Sequence, residues 1–406
     1  MVLDVHDLTL KMYIFSARRP AANNTRATSD HSGTAWTTGD FTEKLHSSFL
    51  TQSLFYMIVM IIMYFHYLLL SLIVIHFNSC HGDKELFPPT GASWLDVGPV
   101  LFGNGKWEMN AVQEPQVFWD AQNDEFRMYY RGGWGIQSVG IATSKTGVTW
   151  KKYEKNPVFG GGGSNISDPV SGFQPYVLRE RMDLYWLYTT MSPSKGHSNM
   201  SLASSKDGYL WTKQDITISL PKGCSSWGNR VVWIEDRNFS DTNNNIKSKK
   251  TYLMLQECAH GLWNIFLFTS ADGFKWEVLN NGGPLSSLAI GSGGGMFGGP
   301  SFANVNGTLT PRNSSGLYNL WYHAAPAHKG VLPTDVYHAA SKDLINWTIS
   351  NNDNPVLKHS GKEWEYDQTA DPSPVITPDG GAFLYYDGDD NRSGKAAIGV
   401  AIATSP

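Results

Sequence analysis

A seven-residue phrase occurs four times in this chain and begins a fifth, and no other feature restricts the fold so tightly. It reads Ser144-Lys-Thr-Gly-Val-Thr-Trp150, Ser205-Lys-Asp-Gly-Tyr-Leu-Trp211, Ser270-Ala-Asp-Gly-Phe-Lys-Trp276 and Ser341-Lys-Asp-Leu-Ile-Asn-Trp347, then Ala403-Thr-Ser405 at the end of the sequence. The serines are 61, 65, 71 and 64 residues apart. A fixed period of this length marks a repeat architecture.

Each copy has the same local grammar. A run of small and β-favouring residues, such as 139–143 or 266–269, leads into an Asp-Gly or Thr-Gly turn, and a second β run opens on the tryptophan. Such turns need positive φ, which glycine adopts without steric cost. Two further strand-like runs precede each phrase, for example 116–119 with 126–130, and 373–376 with 382–386. Four antiparallel strands per repeat make one propeller blade, an arrangement that protects sheet edges by radial repetition. The expected fold is therefore all-β, a five-bladed β-propeller. The fifth phrase is cut short, and the Pro-hydrophobic tail that follows other copies (Asn156-Pro-Val-Phe159, Asn354-Pro-Val-Leu357) recurs as Trp94-Leu-Asp-Val-Gly-Pro99-Val-Leu101. This predicts an N-terminal strand that completes the last blade and closes the ring.

The propeller is expected over residues 86–406 of the 406. Residues 1–48 are polar and without a sustained period, which reads as disorder or as an extension of the gene model. Residues 45–82 contain no Asp, Glu, Lys or Arg, and 54–77 are almost continuously apolar. Residues 49–80 thus read as a signal anchor or, with translation from Met57, Met60 or Met63, as a cleaved signal peptide. Either places the propeller in the secretory pathway, extracellular or membrane-anchored, touching membrane only through that segment. Seven N-x-S/T sequons, at Asn165, Asn199, Asn238, Asn306, Asn313, Asn346 and Asn391, agree with a secreted glycoprotein. Three cysteines are too few for a disulfide scaffold. Cys80 falls in the targeting segment, and Cys224 and Cys258 fall in the third blade, where pairing is left open. A net charge of −4 shows no basic excess, so no nucleic-acid partner is expected. A monomer is expected.

In a propeller the innermost strands surround the axis, and the residues at their mouths form a funnel. The residues opening the first strand of each repeat are Glu114-Pro115, Gln174-Pro175, Asn229-Arg230, Gly299-Pro300 and Asp371-Pro372. Five equivalent positions carry five chemistries, which a structural slot would not. Blades one and five match further: Glu114 and Asp371 each lie seven residues after a tryptophan, Trp107 or Trp364. Two carboxyls facing one cavity are what glycoside hydrolysis needs, one to protonate the leaving oxygen and one to activate water or attack directly. The alternative for both is pairing with Arg131 or Arg230 inside the ring. The second strands end in Arg131, Glu257, His323 and Asp387. Trp134, in the Gly132-Gly-Trp-Gly135 loop, is placed to stack on a sugar. The runs Gly160-Gly-Gly-Gly163 and Gly291-Ser-Gly-Gly-Gly295 lack the Gly-Lys-Ser/Thr of a phosphate loop. No cofactor and no metal are expected.

The phrases such as IATSKTGVTW, the NPVF tails and the first strands EPQVFWD and DPSPVI resemble the five-bladed propeller glycoside hydrolases, the arabinanase, xylosidase, levansucrase and invertase superfamily. The resemblance covers residues 86–406. It implies an Asp base at the mouth of the first blade, a second Asp that orients and tunes, and a Glu acid. Glu114 occupies the first of these positions as a departure from Asp, and Asp371 has the Asp-Pro context but in the last blade. Gln174, Arg230 and Gly299 stand where further carboxylates are implied, and the invertase-type Asn-Asp-Pro-Asn and Arg-Asp-Pro sequences are absent. The implied function is an extracellular glycoside hydrolase with Glu114, Asp371 and Glu257 catalytic. Arg131, Trp134, Gln174, Arg230, His323 and Asp387 are then its carbohydrate-binding residues. The alternative is a lectin-like propeller that keeps the cavity without turnover.

Overall fold

The structure, a computed structural model, describes residues 87–91, 93–134, 137–161, 171–192, 199–240, 246–291, 295–326, 332–390 and 392–404. The polar N-terminus, the apolar segment with Cys80, and the sequons at Asn165 and Asn391 lie outside these residues. Among the described residues no helix is long and apolar enough to cross a membrane.

Five antiparallel sheets follow one another along the chain. The inner strands are Val112–Asp120, Ser171–Arg181, Trp227–Ser240, Met296–Ser301 and Gln368–Ile376, and each pairs with the strand that follows it in its own blade, Glu125–Gly132, Leu184–Ser192, Ile246–His260, Tyr318–Ala325 and Ala382–Asp390. The first described strand, Trp94–Phe102, is the outermost of the last sheet. It pairs with Lys395–Ala403 from Trp94 opposite Ala403 to Phe102 opposite Ala397. A short hairpin, Ala303–Val305 with Thr308–Thr310, adds to the other side of that sheet by parallel pairing with Gln368–Ile376.

The repeated phrase is a turn that also joins neighbouring blades. Ser205 Oγ accepts the N–H groups of Asp207 and Gly208, and Asp207 Oδ1 accepts those of Tyr209 and Leu210. The copies at Ser270 and Ser341 repeat the pattern, and Thr146 replaces the aspartate at Ser144. The tryptophan Nε1 then donates to the carbonyl of residue 147, 273 or 344. A glycine carbonyl of the turn also takes a bond from the preceding blade: Tyr385 Oη donates to Gly147 at 2.9 Å and Tyr188 to Gly273 at 3.1 Å, each beside the tryptophan bond, and Tyr129 donates to Gly208 at 3.0 Å, where Trp211 Nε1 has no partner among the described residues. Gly208 must be glycine twice over, with φ of 79° and space for a Cβ only 2.5 Å from the Tyr129 hydroxyl oxygen.

Cys224 and Cys258 form a disulfide that ties the segment before the third inner strand to the end of its partner strand. The pairing left open in the sequence is thus made, one residue beyond Glu257.

Candidate active site

Four of the five inner strands carry the same interruption of their ladder. Pairing skips two residues between Gln113 and Gln116, Phe173 and Tyr176, Gly298 and Ser301, and Ala370 and Ser373. The first skipped residue always has positive φ, 55° at Glu114, 56° at Gln174, 56° at Gly299 and 48° at Asp371, and the second is Pro115, Pro175, Pro300 or Pro372. Proline has no N–H to give a ladder, so it sits where pairing is already interrupted. In the third blade Arg230 replaces the proline, and the interruption falls at Gly228 and Asn229, one residue nearer the mouth. For a side chain with a Cβ, left-handed backbone costs roughly 1–2 kcal/mol, so Glu114, Gln174 and Asp371 are held in it by their surroundings.

These bulges surround a lumen of about 30 Å³ lined by Glu114, Arg230, Asp371 and the four prolines. The second strands bring further polar groups opposite these bulges. Arg131 lies opposite Gln113, His323 opposite Gly298, Asp387 opposite Ala370, and Glu257 opposite the third-blade bulge.

The predicted carboxyls are brought into one cluster. Glu114 Oε1 is 3.2 Å from Arg131 Nη1, and its Oε2 accepts the Gln174 N–H at 2.6 Å. The ion pair weighed in the sequence as an alternative for Glu114 is therefore present, with Arg131 as the partner. Burial pushes the Glu114 carboxyl up to about 7, against Arg131, with the charges of Asp371 and Glu257 acting in the same direction as burial. Glu257 Oε2 accepts N–H groups from Asn229 at 3.0 Å and Gly299 at 3.2 Å. Burial raises Glu257 as well, with His323 opposing and Asp371 adding to it. Asp387 is 1% exposed, and neither of its carboxyl oxygens has a hydrogen-bond partner among the described residues. Burial, then the charges of Asp371 and Glu114, drive it well above the usual carboxylate range.

His323 stands between two of these acids, with Nε2 3.9 Å from Glu257 Oε1 and Nδ1 3.2 Å from Asp371 Oδ1. Burial disfavours the imidazolium, but the hydrogen bond and charge of Asp371, with Glu257 and Asp387 behind them, outweigh it and raise His323 to about 9. Nδ1 is also 3.2 Å from the backbone N–H of Asp371. A protonated Nδ1 donates to the carboxylate, and an unprotonated one accepts from the backbone instead. The cluster also explains Gly299. A Cβ there would lie 2.4 Å from Asp371 Oδ1 and 2.5 Å from His323 Nδ1, and one on Gly298 would lie 2.3 Å from Glu257 Oε1. The slot is empty so that three side chains from other positions can meet in it. One atom from each of Glu257, His323 and Asp371 lies within 4.8 Å of the others, a grouping that a single cation could also share and that the sequence reading did not expect.

The other predicted residues divide. Arg230 is spent on the protein: Nε donates to Gln256, Nη1 to the Gln174 carbonyl, and Nη2 to Thr190 and the Gly228 carbonyl. Burial, only partly offset by Glu114 and Glu257, lowers it to about 9. It braces the ring. The Gln174 side chain is buried with Oε1 unpartnered among the described residues. Trp134 is exposed, donates Nε1 to the Gly394 carbonyl at 2.8 Å, and carries the Arg131 guanidinium 5.7 Å from its ring centre. The match between blades one and five has a structural component too. Glu108 is buried against Tyr130, Lys152 and the Gly105 N–H, while Glu365 is buried against Ser360 and Thr369. One residue escaped the sequence reading. Asp389 is 5% exposed, has Oδ1 unpartnered among the described residues, and follows Asp387 by two on one strand. The period-two spacing of Asp387-Gly-Asp389 was the available signal.

No protein-family model and no curated protein matches the sequence. Solved structures do match. A glycoside hydrolase aligns at 16% identity and a TM-score of 0.56, covering 78% of this chain and 93% of its own. A member of the GH130 family, which is described as containing glycoside hydrolases that target β-1,2-mannosidic linkages in Candida mannan, aligns at 19% identity and 0.52, covering 81% and 98%. The catalytic domain of the Coprinopsis cinerea GH62 α-L-arabinofuranosidase aligns at 11% identity and 0.51, covering 78% and 98%. At such identities the likeness is one of fold, and the chain is a five-bladed β-propeller of the architecture that these glycoside hydrolases share.

Proposed function

We propose that the funnel is the active site of a glycoside hydrolase acting on oligo- or polysaccharides, and that the propeller works outside the cytosol. The observation that carries this reading is the convergence of Glu114, Glu257, Asp371 and Asp387 around one axis, with burial raising Glu114 to about 7 and raising Glu257 and Asp387 as well. Crowded carboxyls whose environments separate their pKa values divide acid and base roles between them.

Glu114 is the general acid. At about 7 it is partly protonated in neutral solution, and Arg131 stands ready to stabilise the carboxylate left after its proton moves to the glycosidic oxygen. As that C–O bond breaks, Asp371 takes the proton of the water attacking the anomeric carbon, with His323 supplying the adjacent positive charge. Glu257, close to both His323 and Asp371, tunes them. Gln174, which holds Glu114 through its N–H, is a positioning residue.

The test is release of new reducing ends from a panel of pentose, hexose and fructose oligosaccharides by the purified protein, beside Glu114→Gln and Asp371→Asn. Release that drops at least a hundredfold in both variants supports the reading. Retention of a sugar without release would favour the lectin-like alternative, toward which Gln174 and Arg230 at the starts of inner strands point.

A further inference from the structure

Asp387 and Asp389 are the most exacting groups at the mouth, because they are buried and lack a partner for both oxygens of Asp387 and for Oδ1 of Asp389 among the described residues. Side chains two apart on a strand share a face, about 7 Å apart, and Tyr385 on that same face donates to Gly147 in the first blade. Both aspartates therefore face the gap above Arg131, with Asp387 deeper, opposite Ala370, and Asp389 nearer the rim, opposite Gln368. Three of their carboxyl oxygens are hidden from solvent without a hydrogen bond among the described residues. Unpaired buried polar atoms are rare in proteins and point to a missing partner.

The charges around them restrict what that partner is. Glu114, Glu257, Asp371, Asp387 and Asp389 face Arg131, Arg230 and His323. Arg230 is committed to protein acceptors, Arg131 to Glu114 and Gln113, and His323 to Asp371. Among the described residues this leaves no uncommitted cation in the cluster for an anionic ligand.

We propose that Asp387 and Asp389 are the specificity wall of this site, accepting hydrogen bonds from hydroxyls of a neutral sugar and excluding uronate or sulfated sugars. The inference rests on the carbohydrate reading of the funnel and not on turnover. A sugar hydroxyl both donates and accepts, so it satisfies a carboxyl in either protonation state. A ligand carboxylate adds one more negative charge to a desolvated, acid-rich pocket.

Binding of the full chain to β-1,4-xylotriose, α-1,5-arabinotriose, β-1,2-mannotriose, β-1,4-galactotriose and trigalacturonate, measured by calorimetry at neutral pH, tests it. Expected is binding of at least one neutral trisaccharide and none of trigalacturonate. Asp389→Asn, near-isosteric, should weaken the neutral ligand by about tenfold or more, the scale of one hydrogen bond to a charged group, with an unchanged melting temperature. Asp389→Lys should admit trigalacturonate. Preference for trigalacturonate, binding of none of the five, or an Asp389→Asn variant with undiminished affinity would overturn it. Binding in the expected order without hydrolysis would sink the hydrolase reading and leave this inference standing.

Discussion

Glu114 decides the pH behaviour. Its folded value of about 7 exceeds its ordinary 4.5, so the folded protein holds this proton more tightly than the unfolded chain. The contribution to stability is full below about 4.5 and lost as pH rises through about 7, a change on the order of 3 kcal/mol for a shift of this size. Melting temperature should therefore fall across that window in the native protein, and Glu114→Gln should flatten the fall. If Glu114 is the acid, kcat/KM should decline above about 7, whereas Arg131→Ala should raise that limb to higher pH by removing the opposing cation. A limb that stays in place in Arg131→Ala would show that the guanidinium does not set the proton affinity of the acid. The carboxyls at 114, 257 and 371 were legible in the sequence because each opens or ends a run of apolar β residues. The fate of Arg230 was not, since three of its four acceptors, Gln256, Gln174 and Thr190, lie 26 to 56 residues away. Asp389 was missed because its period-two spacing from Asp387 tells which face it shares and not whether that face is buried.

At the level of the strand and turn, the repeated phrase was read correctly as a turn, but half its work is done between blades. Tyrosine-to-carbonyl bonds across the seams depend on which residue of the preceding blade lies opposite, and that is information the phrase itself does not contain. Tyr129→Phe removes one such bond and leaves the buried Gly208 carbonyl with one partner fewer. A loss of about 1–2 kcal/mol is expected in urea unfolding. Gly208→Ala adds left-handed strain and a clash with the same hydroxyl, so it should cost at least as much. Equal stability in both variants and the native protein would show the seam to be held by side-chain packing alone. The bulges were half legible: the Xaa-Pro dipeptides marked the positions, and the positive φ that turns Glu114 and Asp371 off their sheets became visible only in three dimensions.

For the molecule as a whole, the period of the phrase was enough to give five blades. The pairing of Trp94–Phe102 with Lys395–Ala403 joins the two ends of the described chain in one sheet. Deleting residues 1–102 should leave Lys395–Ala403 an unpaired edge and produce a lower melting temperature with concentration-dependent association. An unchanged monomer would show that this strand is dispensable. The location outside the cytosol has its own test. Asn306 is exposed at the tip of the hairpin that extends the last sheet, ahead of Gly307 and Thr308. Protein made in eukaryotic cells should lose mass on treatment with an N-glycanase and carry the resulting aspartate at position 306. Unmodified protein would argue against passage through the secretory pathway.

The axial bulges make the chemistry of this molecule separable from its construction. The bulge residues Glu114, Gln174 and Asp371 leave the ladders of their sheets, so they act like the pins of a lock set in a fixed cylinder. Changing such a pin alters what turns the lock, while the ladders and tyrosine seams of the cylinder lie elsewhere.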